Sequence, residues 1–412
     1  LELAGQALVF PKNAYQGDYV KEIAQGILSK DGDAYVRPAA EVYKDVPEDV
    51  QYAAEPDADG NKAVLSGDKE KHIDGLIHNA QSLIGAGYRV FHQAALKAIL
   101  DDIKDDLGEF GVTFNQWFSE ASLTEKIDEA LQTLDQRGFL YEKDGNIWFK
   151  STEFGDEKDR VVKRRNGQTT YFASDIAYHH DKFQRGYDWL IDIWGADHHG
   201  YIIRIHSAMK FLGYDPEDFE IMLLQMVTLL RDGQPVKMSK RTGQAVTLRE
   251  LMDEVGSDAA RYFFCSRTLD SQMDFDIDLA KKQSSDNPVY YIQYANARIH
   301  SLFAQAKEAG VKWGDWEKTD FTKLTEECEL DLVKKMENYH MLIDGAAKER
   351  APQRVAKYAY ELAGLFHHFY RECRILGVEE GVTQARLGLI TAVQHVLVHA
   401  LSILGVSAPE RM

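Results

Sequence analysis

The chain has 412 residues, 44% hydrophobic and 28% charged, with a formal net charge of -18, which is room for roughly two or three domains around a sizeable core. So acidic a balance excludes a protein that coats nucleic acid indiscriminately, because non-specific affinity comes mainly from neutralised phosphates; any RNA contact must be a local patch. No apolar run approaches the length of a membrane span and no signal-peptide pattern opens the chain. Cys265, Cys328 and Cys373 lie far apart without the paired spacing of a zinc knuckle or disulfide framework, so the expected setting is reducing and cytoplasmic.

The start, Leu1-Glu2-Leu3-Ala4-Gly5, lacks an initiating methionine, and the reading expects a truncated chain. Apolar residues Tyr19, Ile23, Ile27 and Leu28 recur at helical spacing within 15–29. From Asp31 to about Asp74 the chain turns to Pro, Gly, Ala and Asp, the composition of an inserted, partly irregular surface segment. Phe91, Ala95, Ile99, Ile103, Leu107 and Phe110 then mark an amphipathic helix with Asp and Lys on its opposite face. Gly111 to Phe118 reads as a strand. A helix over 127–138 is stopped by Gly138, and Asp144-Gly145 between two strand-like runs makes 140–149 a hairpin.

The next part has the rhythm of a parallel α/β sheet. Thr169 to Ala173 reads as extended, leading into a helix near Ser174-Asp175. Tyr187 to Trp194 is apolar enough for a strand covered on both faces. It ends at Gly195-Ala196-Asp197-His198-His199-Gly200, before a helix over 201–212. Ile221 to Leu230 reads as a third strand, followed by an Asp232-Gly233 turn and the basic loop Val236-Lys237-Met238-Ser239-Lys240-Arg241-Thr242-Gly243. Ligands in such sheets sit beyond the carboxyl ends of the strands. Thr247 and Glu250 form a capping box, and helices over about 278–306, 329–348, 353–376 and 383–404 follow with short connections, the pattern of an antiparallel bundle.

Each chemical motif has a structural competitor. Lys237 and Lys240 on a loop flanked by glycines suit the negative charge that accumulates on a leaving pyrophosphate; the competing reading is a hairpin tip kept soluble by lysines. No Walker A or GxGxxG string is present, so this loop is the phosphate candidate. Tyr171 and Asp175, four apart, could bring a phenol and a carboxylate to one side of a pocket, where a carboxylate suits a guanidinium. Local sequence alone favours Ser174 or Asp175 as a helix cap. Asp197-His198-His199, with His179, His180 and His206 nearby, invites a zinc or iron site and a metal-dependent hydrolase. Against that reading, adjacent histidines point in different directions and no His-x-x-x-His pair accompanies a catalytic Glu. Phe263-Phe264 and Tyr290-Tyr291-Ile292-Gln293-Tyr294 read as core packing, or as platforms for unpaired bases where exposed. Basic and acidic residues balance only after Asn287, which makes RNA contact easier to place there.

Taken together the chain resembles the arginyl-tRNA synthetases, class I enzymes that share the Lys237-Met238-Ser239-Lys240 signature. The other stretches that carry the resemblance are Tyr171-Phe172-Ala173-Ser174-Asp175-Ile176-Ala177-Tyr178, Trp194 to Gly200, Asp258-Ala259-Ala260-Arg261-Tyr262, Asn287 to Ala295, and Ala408-Pro409-Glu410-Arg411-Met412. The resemblance implies an α/β fold in which a Rossmann-type catalytic domain, incomplete at its N-terminus, precedes an all-α anticodon-binding bundle. The expected boundaries are a catalytic domain over 1–246 with an insertion at about 31–150, a connecting helical segment over 247–286, and the bundle over 287–412. The implied activity is ATP-dependent activation of L-arginine and its transfer to tRNA(Arg). The implied partners are those three molecules, ATP with Mg2+ as substrate and no structural metal, in a cytoplasmic monomer without a membrane.

Position by position, Tyr171, Asp175 and His199 would hold arginine. Lys237 and Lys240 would stabilise the triphosphate, with Met238 and Ser239 completing the ATP loop. Tyr291, Tyr294, Arg298 and Met412 would meet tRNA. A buried carboxylate at Asp175 would reject citrulline, which lacks the charge, and lysine, which cannot fill a two-pronged site. The HIGH-type signature of the class is absent from these 412 residues, so the reading expects the chain alone to be a poor catalyst. A tRNA-binding scaffold without chemistry is the alternative.

Overall fold

In the computed structural model the described residues are all but positions 8, 13, 15, 16, 54–62 and 237–245. The lysine loop therefore lies outside the described residues, as does the Pro56 to Gly60 stretch. The chain forms two compact units, one of Leu1–Thr113 with the segment ending at Asp253, the other of Phe114–Val236 with Glu254–Met412.

The first unit holds α1 (Asp18–Asp31), α2 (Ala39–Val42), α3 (Lys69–Ile84) and α4 (Tyr88–Glu109), with a short exposed ribbon of β1 (Gln51–Tyr52) and β2 (Val64–Ser66). Asp68 starts α3 by accepting the backbone N–H groups of Glu70 and Lys71. The helix expected from Phe91 onward is present, yet Ile99 and Ile103 on its apolar stripe stay exposed among the described residues. The strand expected at 111–118 is not formed. Gly111, at φ +77°, turns the chain out of α4 and Val112 N–H closes back on the Leu107 carbonyl. Phe114 and Trp117 then pack edge to face instead of alternating across a pleat.

The second unit opens with α5 (Thr124–Gln136), which buries Ile127, Ala130, Leu131 and Leu134. A three-stranded antiparallel sheet follows: β3 (Leu140–Lys143), β4 (Asn146–Phe149) and β5 (Arg160–Lys163). Asp144 and Gly145 both take positive φ, as the tight hairpin turn requires. Then come α6 (Tyr171–Gln184), β6 (Leu190–Gly195), α7 (Ile202–Leu212) and β7 (Phe219–Leu224), with β6 and β7 parallel and Ile191 facing Glu220. Phe149, Phe172 and Phe211 meet in the core beneath them.

Two expectations change here. Strand β6 is covered on one face rather than both: Leu190 and Asp192 are buried, Ile191 and Ile193 exposed. The single strand expected over 221–230 is two, because the chain breaks at Gln225, whose N–H is taken by the Leu269 carbonyl. After the break, β8 (Val227–Arg231) pairs antiparallel with β9 (Gln234–Pro235) through the Asp232-Gly233 turn. Helix α8 (Leu248–Val255) starts with the expected box: Thr247 N–H donates to Glu250, and Glu250 N–H to the Thr247 hydroxyl. Helix α9 (Ser257–Cys265), β10 (Met273–Asp276), which pairs parallel with β8, and α10 (Ile277–Ala280) complete the connection.

The remainder is a helical bundle of α11 (Pro288–Glu308), α12 (Glu327–Glu337), α13 (Tyr339–Lys348), α14 (Pro352–Glu372) and α15 (Glu380–Leu404). One core runs through them, with Ile292, Ile299, Leu362, Phe366, Phe369, Ile390 and Leu397 fully buried. By length and composition α15 could cross a membrane, contrary to the sequence expectation; half of that stretch is buried in the bundle. The cysteines form no disulfide among the described residues, yet two of them meet in space. Cys328 and Cys373, 45 positions apart, bring their sulfurs to 3.3 Å as buried free thiols. Burial, with the neighbouring thiol, pushes Cys373 up to about 12, which keeps it protonated and unreactive near neutrality.

Candidate active site

The site grows from the start of α6. Thr170 is the cap: its hydroxyl donates to the Val161 carbonyl at 2.9 Å and accepts the Ala173 N–H at 3.4 Å. The helix therefore begins one turn before the expected Ser174-Asp175 junction, and the expected strand over 169–173 is replaced by a single bridge, Lys163 to Thr169. Freed from capping, Asp175 sits on the second turn, where Tyr201 donates its hydroxyl to the Asp175 Oδ2 at 2.6 Å.

One turn further on, His179 lies between two acceptors, the Asp175 carbonyl 2.7 Å from Nδ1 and the Asp192 carboxylate 2.6 Å from Nε2. The other Asp192 oxygen accepts from Lys182 Nζ at 2.7 Å, and that ammonium also lies 4.4 Å from the centre of the Tyr178 ring. Burial pushes the Asp192 carboxyl up, but the His179 hydrogen bond and charge, with Lys182, outweigh it and bring it to about 2. Burial, reinforced by the Asp175 acceptor, drives the Tyr201 phenol far above its ordinary range, so it is a fixed donor.

These groups line a cleft of about 760 Å³ with Phe114, Ile191, Ile193, Trp194, Gly195 and His198, at the carboxyl end of β6 where the parallel-sheet argument places a ligand. A carboxylate held by a phenol, a second ion network beneath it and aromatic walls suit a planar cation. The structure brings Asp175 into this cleft. It places Tyr171 one turn earlier on α6 with 84% of its surface exposed, outside the lining. His199 lies exposed on the 3-10 turn Ala196–Tyr201, whereas its neighbour His198 lines the cleft.

The histidines once grouped as metal ligands are accounted for otherwise. His180 Nδ1 pairs with the Tyr214 hydroxyl at 2.7 Å, His206 stacks on Phe219 at 5.0 Å, and His179 is engaged as above. Among the described residues no three His, Cys, Asp or Glu side chains converge as a metal site would require.

Sequence reasoning missed Tyr201, Lys182 and Asp192, and named His179 only as a candidate metal ligand. Two signals were available: an aspartate in the middle of an apolar strand demands a charged partner, and Asp175 and His179 stand one helical turn apart.

A second cluster lies on α11 and α14. Tyr290, Tyr291, Tyr294, Arg298, His367, Tyr370 and Arg371 line a cleft of about 370 Å³. The Arg298 guanidinium sits 4.3 Å from the Tyr294 ring centre and 4.9 Å from that of Tyr370. It also donates to His367 Nδ1 at 3.1 Å. Burial, chiefly, pushes His367 below its ordinary range, keeping the ring neutral to accept that bond.

Met412 lines a neighbouring cleft of about 480 Å³ with Lys281, Lys282, Gln293 and Tyr290, and Tyr290 borders both clefts. The tail that ends in Met412 is tied down by distant residues. Asp258 accepts the Ser407 N–H at 2.9 Å and the Gln293 amide at 2.8 Å. Asn296 donates to the carbonyls of Ala408 and Pro409, and Arg261 donates to the Leu404 carbonyl at 3.0 Å. Gly405 permits this last contact: at φ +67°, a Cβ there would stand 2.3 Å from Arg261 Nη2.

Comparison with known proteins covers most of the chain. Residues 72–273 match the family described as tRNA synthetases class I (R), catalytic domain, and residues 292–412 the DALR anticodon binding domain. An arginine–tRNA ligase of Acinetobacter baylyi is 62% identical over all of this chain and 69% of its own length. One of Psychrobacter arcticus is 49% identical with the same coverage. Among solved structures, a Campylobacter jejuni chain described as an arginyl-tRNA synthetase superposes with a TM-score of 0.80 at 33% identity, covering 100% of this chain and 79% of that one. The Thermus thermophilus arginyl-tRNA synthetase shares the fold at TM-score 0.64 and 21% identity, covering 83% of this chain and 69% of the other.

Proposed function

We infer the work of these clefts from one premise: the chain belongs to the arginyl-tRNA synthetase family. It is an arginine–tRNA ligase, which activates L-arginine with ATP and transfers it to tRNA, and its catalytic domain precedes a helical anticodon-binding domain. The observation that carries the site reading is the Asp175 carboxylate, held by Tyr201 in an aromatic-walled cleft. Asp175 binds the arginine guanidinium through its remaining lone pairs, with Tyr171, one turn before it on α6, and His199, next to the cleft-lining His198, as further arginine contacts. The Asp192, His179 and Lys182 network beneath sets the position of the first α6 turns. Lys237 and Lys240, with Met238 and Ser239, hold the triphosphate while the arginine carboxylate attacks the α-phosphate. Mg2+ arrives on the nucleotide. The protein works as a cytoplasmic monomer.

Pyrophosphate exchange by the complete gene product tests the substrate reading. Exchange proceeds with arginine plus tRNA(Arg), and falls by at least about 10³-fold with citrulline, because a site built to pair a charged donor rejects an analogue that lacks it. Comparable exchange with citrulline or lysine sinks the guanidinium assignment.

For tRNA we assign Tyr291, Tyr294, Arg298 and Met412. Stacking on the exposed Tyr294 beside the Arg298 cation, with the half-buried Tyr291 next to it, suits unpaired bases. Met412 depends on its tether, so Asp258→Ala weakens tRNA(Arg) binding about tenfold, the loss of a charged hydrogen-bond anchor. Arginine affinity without tRNA stays unchanged. Filter binding and calorimetry measure the two, and an unaltered tRNA Kd removes Met412 from the contact surface.

A further inference from the structure

One arginine of the anticodon-binding bundle reaches into the catalytic sheet. Arg350 lies between α13 and α14 with φ +51°, a conformation that a non-glycine residue keeps only where surrounding contacts over-determine it. Its Nε and Nη2 donate to one Glu220 oxygen at 2.9 and 2.8 Å, its Nη1 donates to the Lys348 carbonyl at 2.7 Å, and the guanidinium stands 4.8 Å from the Trp189 ring centre. A planar, five-donor head can satisfy all of these contacts at once; an ammonium cannot.

Both grips matter because of where they fall. Glu220 is on β7, in register with Ile191 of β6, and Trp189 immediately precedes β6. One residue beyond Ile191 is Asp192, which holds His179 and Lys182, and His179 in turn holds the Asp175 carbonyl. A run of hydrogen bonds and strand register thus links the bundle to the carboxylate in the cleft.

We propose that Arg350 is a positioning residue through which the anticodon-binding bundle sets the β6–β7 pair and, with it, the Asp175 cleft. The proposal rests on the reading of that cleft as the arginine site. Occupancy of the bundle by tRNA then changes arginine affinity, and by linkage arginine changes tRNA affinity by the same factor.

The test measures arginine affinity of the complete gene product by calorimetry, with and without saturating tRNA(Arg). In Arg350→Ala and Glu220→Gln the factor by which tRNA tightens arginine binding falls about tenfold, within the usual range of such couplings. Arginine affinity without tRNA stays within about twofold of the parent, a result that general damage to the fold does not give. The charge-swapped pair Glu220→Arg with Arg350→Glu recovers part of the loss. Glu220→Gln leaves the turn at Arg350 intact and serves if Arg350→Ala misfolds. An unchanged factor in Glu220→Gln, or a swap no better than the worse single variant, overturns the proposal. Asp175→Asn in the same assay separates the two readings: undiminished arginine binding there overturns the site and the proposal together, whereas impaired binding there with an unchanged factor in Glu220→Gln overturns the proposal alone.

Discussion

Asparagine at position 175 lowers kcat/KM for arginine by about two orders of magnitude, the equivalent of ~3 kcal/mol, the low end for removing one partner of a desolvated charge pair. The size follows from the surroundings. The half-buried Asp175 carboxylate shares its cleft with Tyr178, Trp194 and Tyr201, so a guanidinium that displaces the water there relies on this carboxylate for its counter-charge. Asparagine retains the shape and an acceptor for the Tyr201 hydroxyl, now 2.6 Å from Oδ2, so α6 remains folded. The effect should appear chiefly in the KM for arginine, with the KM for ATP close to that of the parent. Steady-state pyrophosphate exchange measures both. A loss under about threefold, or one confined to ATP, contradicts the assignment.

The second large effect is on stability, in the bundle. Glu329 is fully buried on α12, and Arg386 of α15 donates to its Oε1 at 2.6 Å. Glu329 Oε2 closes the capping box by accepting the Glu326 N–H at 2.9 Å, while Arg386 donates its second nitrogen to the Arg374 carbonyl at 2.6 Å. Glu329→Ala leaves a guanidinium in the core without its counter-charge and the start of α12 without its cap, and destabilises by about 3–5 kcal/mol. Replacing both partners with apolar residues, Glu329→Leu with Arg386→Met, costs far less, because no orphaned charge remains. Urea unfolding followed by the bundle's aromatic fluorescence separates the cases. A Glu329→Ala midpoint equal to the parent's shows that the pair contributes nothing; a double variant as unstable as the single shows that packing, not charge, is lost.

Much of the helical half was legible before any coordinates. The α14 stripe of Val355, Ala359, Leu362, Phe366 and Phe369 is the local periodicity of a helix facing a core, and the side chains on it are buried. The Asp144-Gly145 and Asp232-Gly233 turns were equally plain, since few other pairs tolerate two positive φ angles in succession. Where local pattern misled, a competing contact decided the outcome. Thr170 captured the α6 start ahead of Asp175, and the Leu269 carbonyl broke the strand at Gln225. Phe114 and Trp117 paired with each other, and Phe118 with Tyr178, rather than with a neighbouring strand.

The sequence by itself determined which chemical groups this protein has and the order of its elements: the Lys237-Met238-Ser239-Lys240 string, the Tyr171-to-Asp175 spacing, the Asp-His-His turn and the run of helices, all properties of residues close in the chain. Only the tertiary structure decided which of them meet. Asp175 with Tyr201, His179 with Asp192, Asp258 with Ser407, Arg350 with Glu220 and Cys328 with Cys373 are separated by 13 to 149 positions. Helical and turn preferences act over a few residues, whereas burial pairs distant polar groups because each is costly to leave unpartnered once the chain has closed around it.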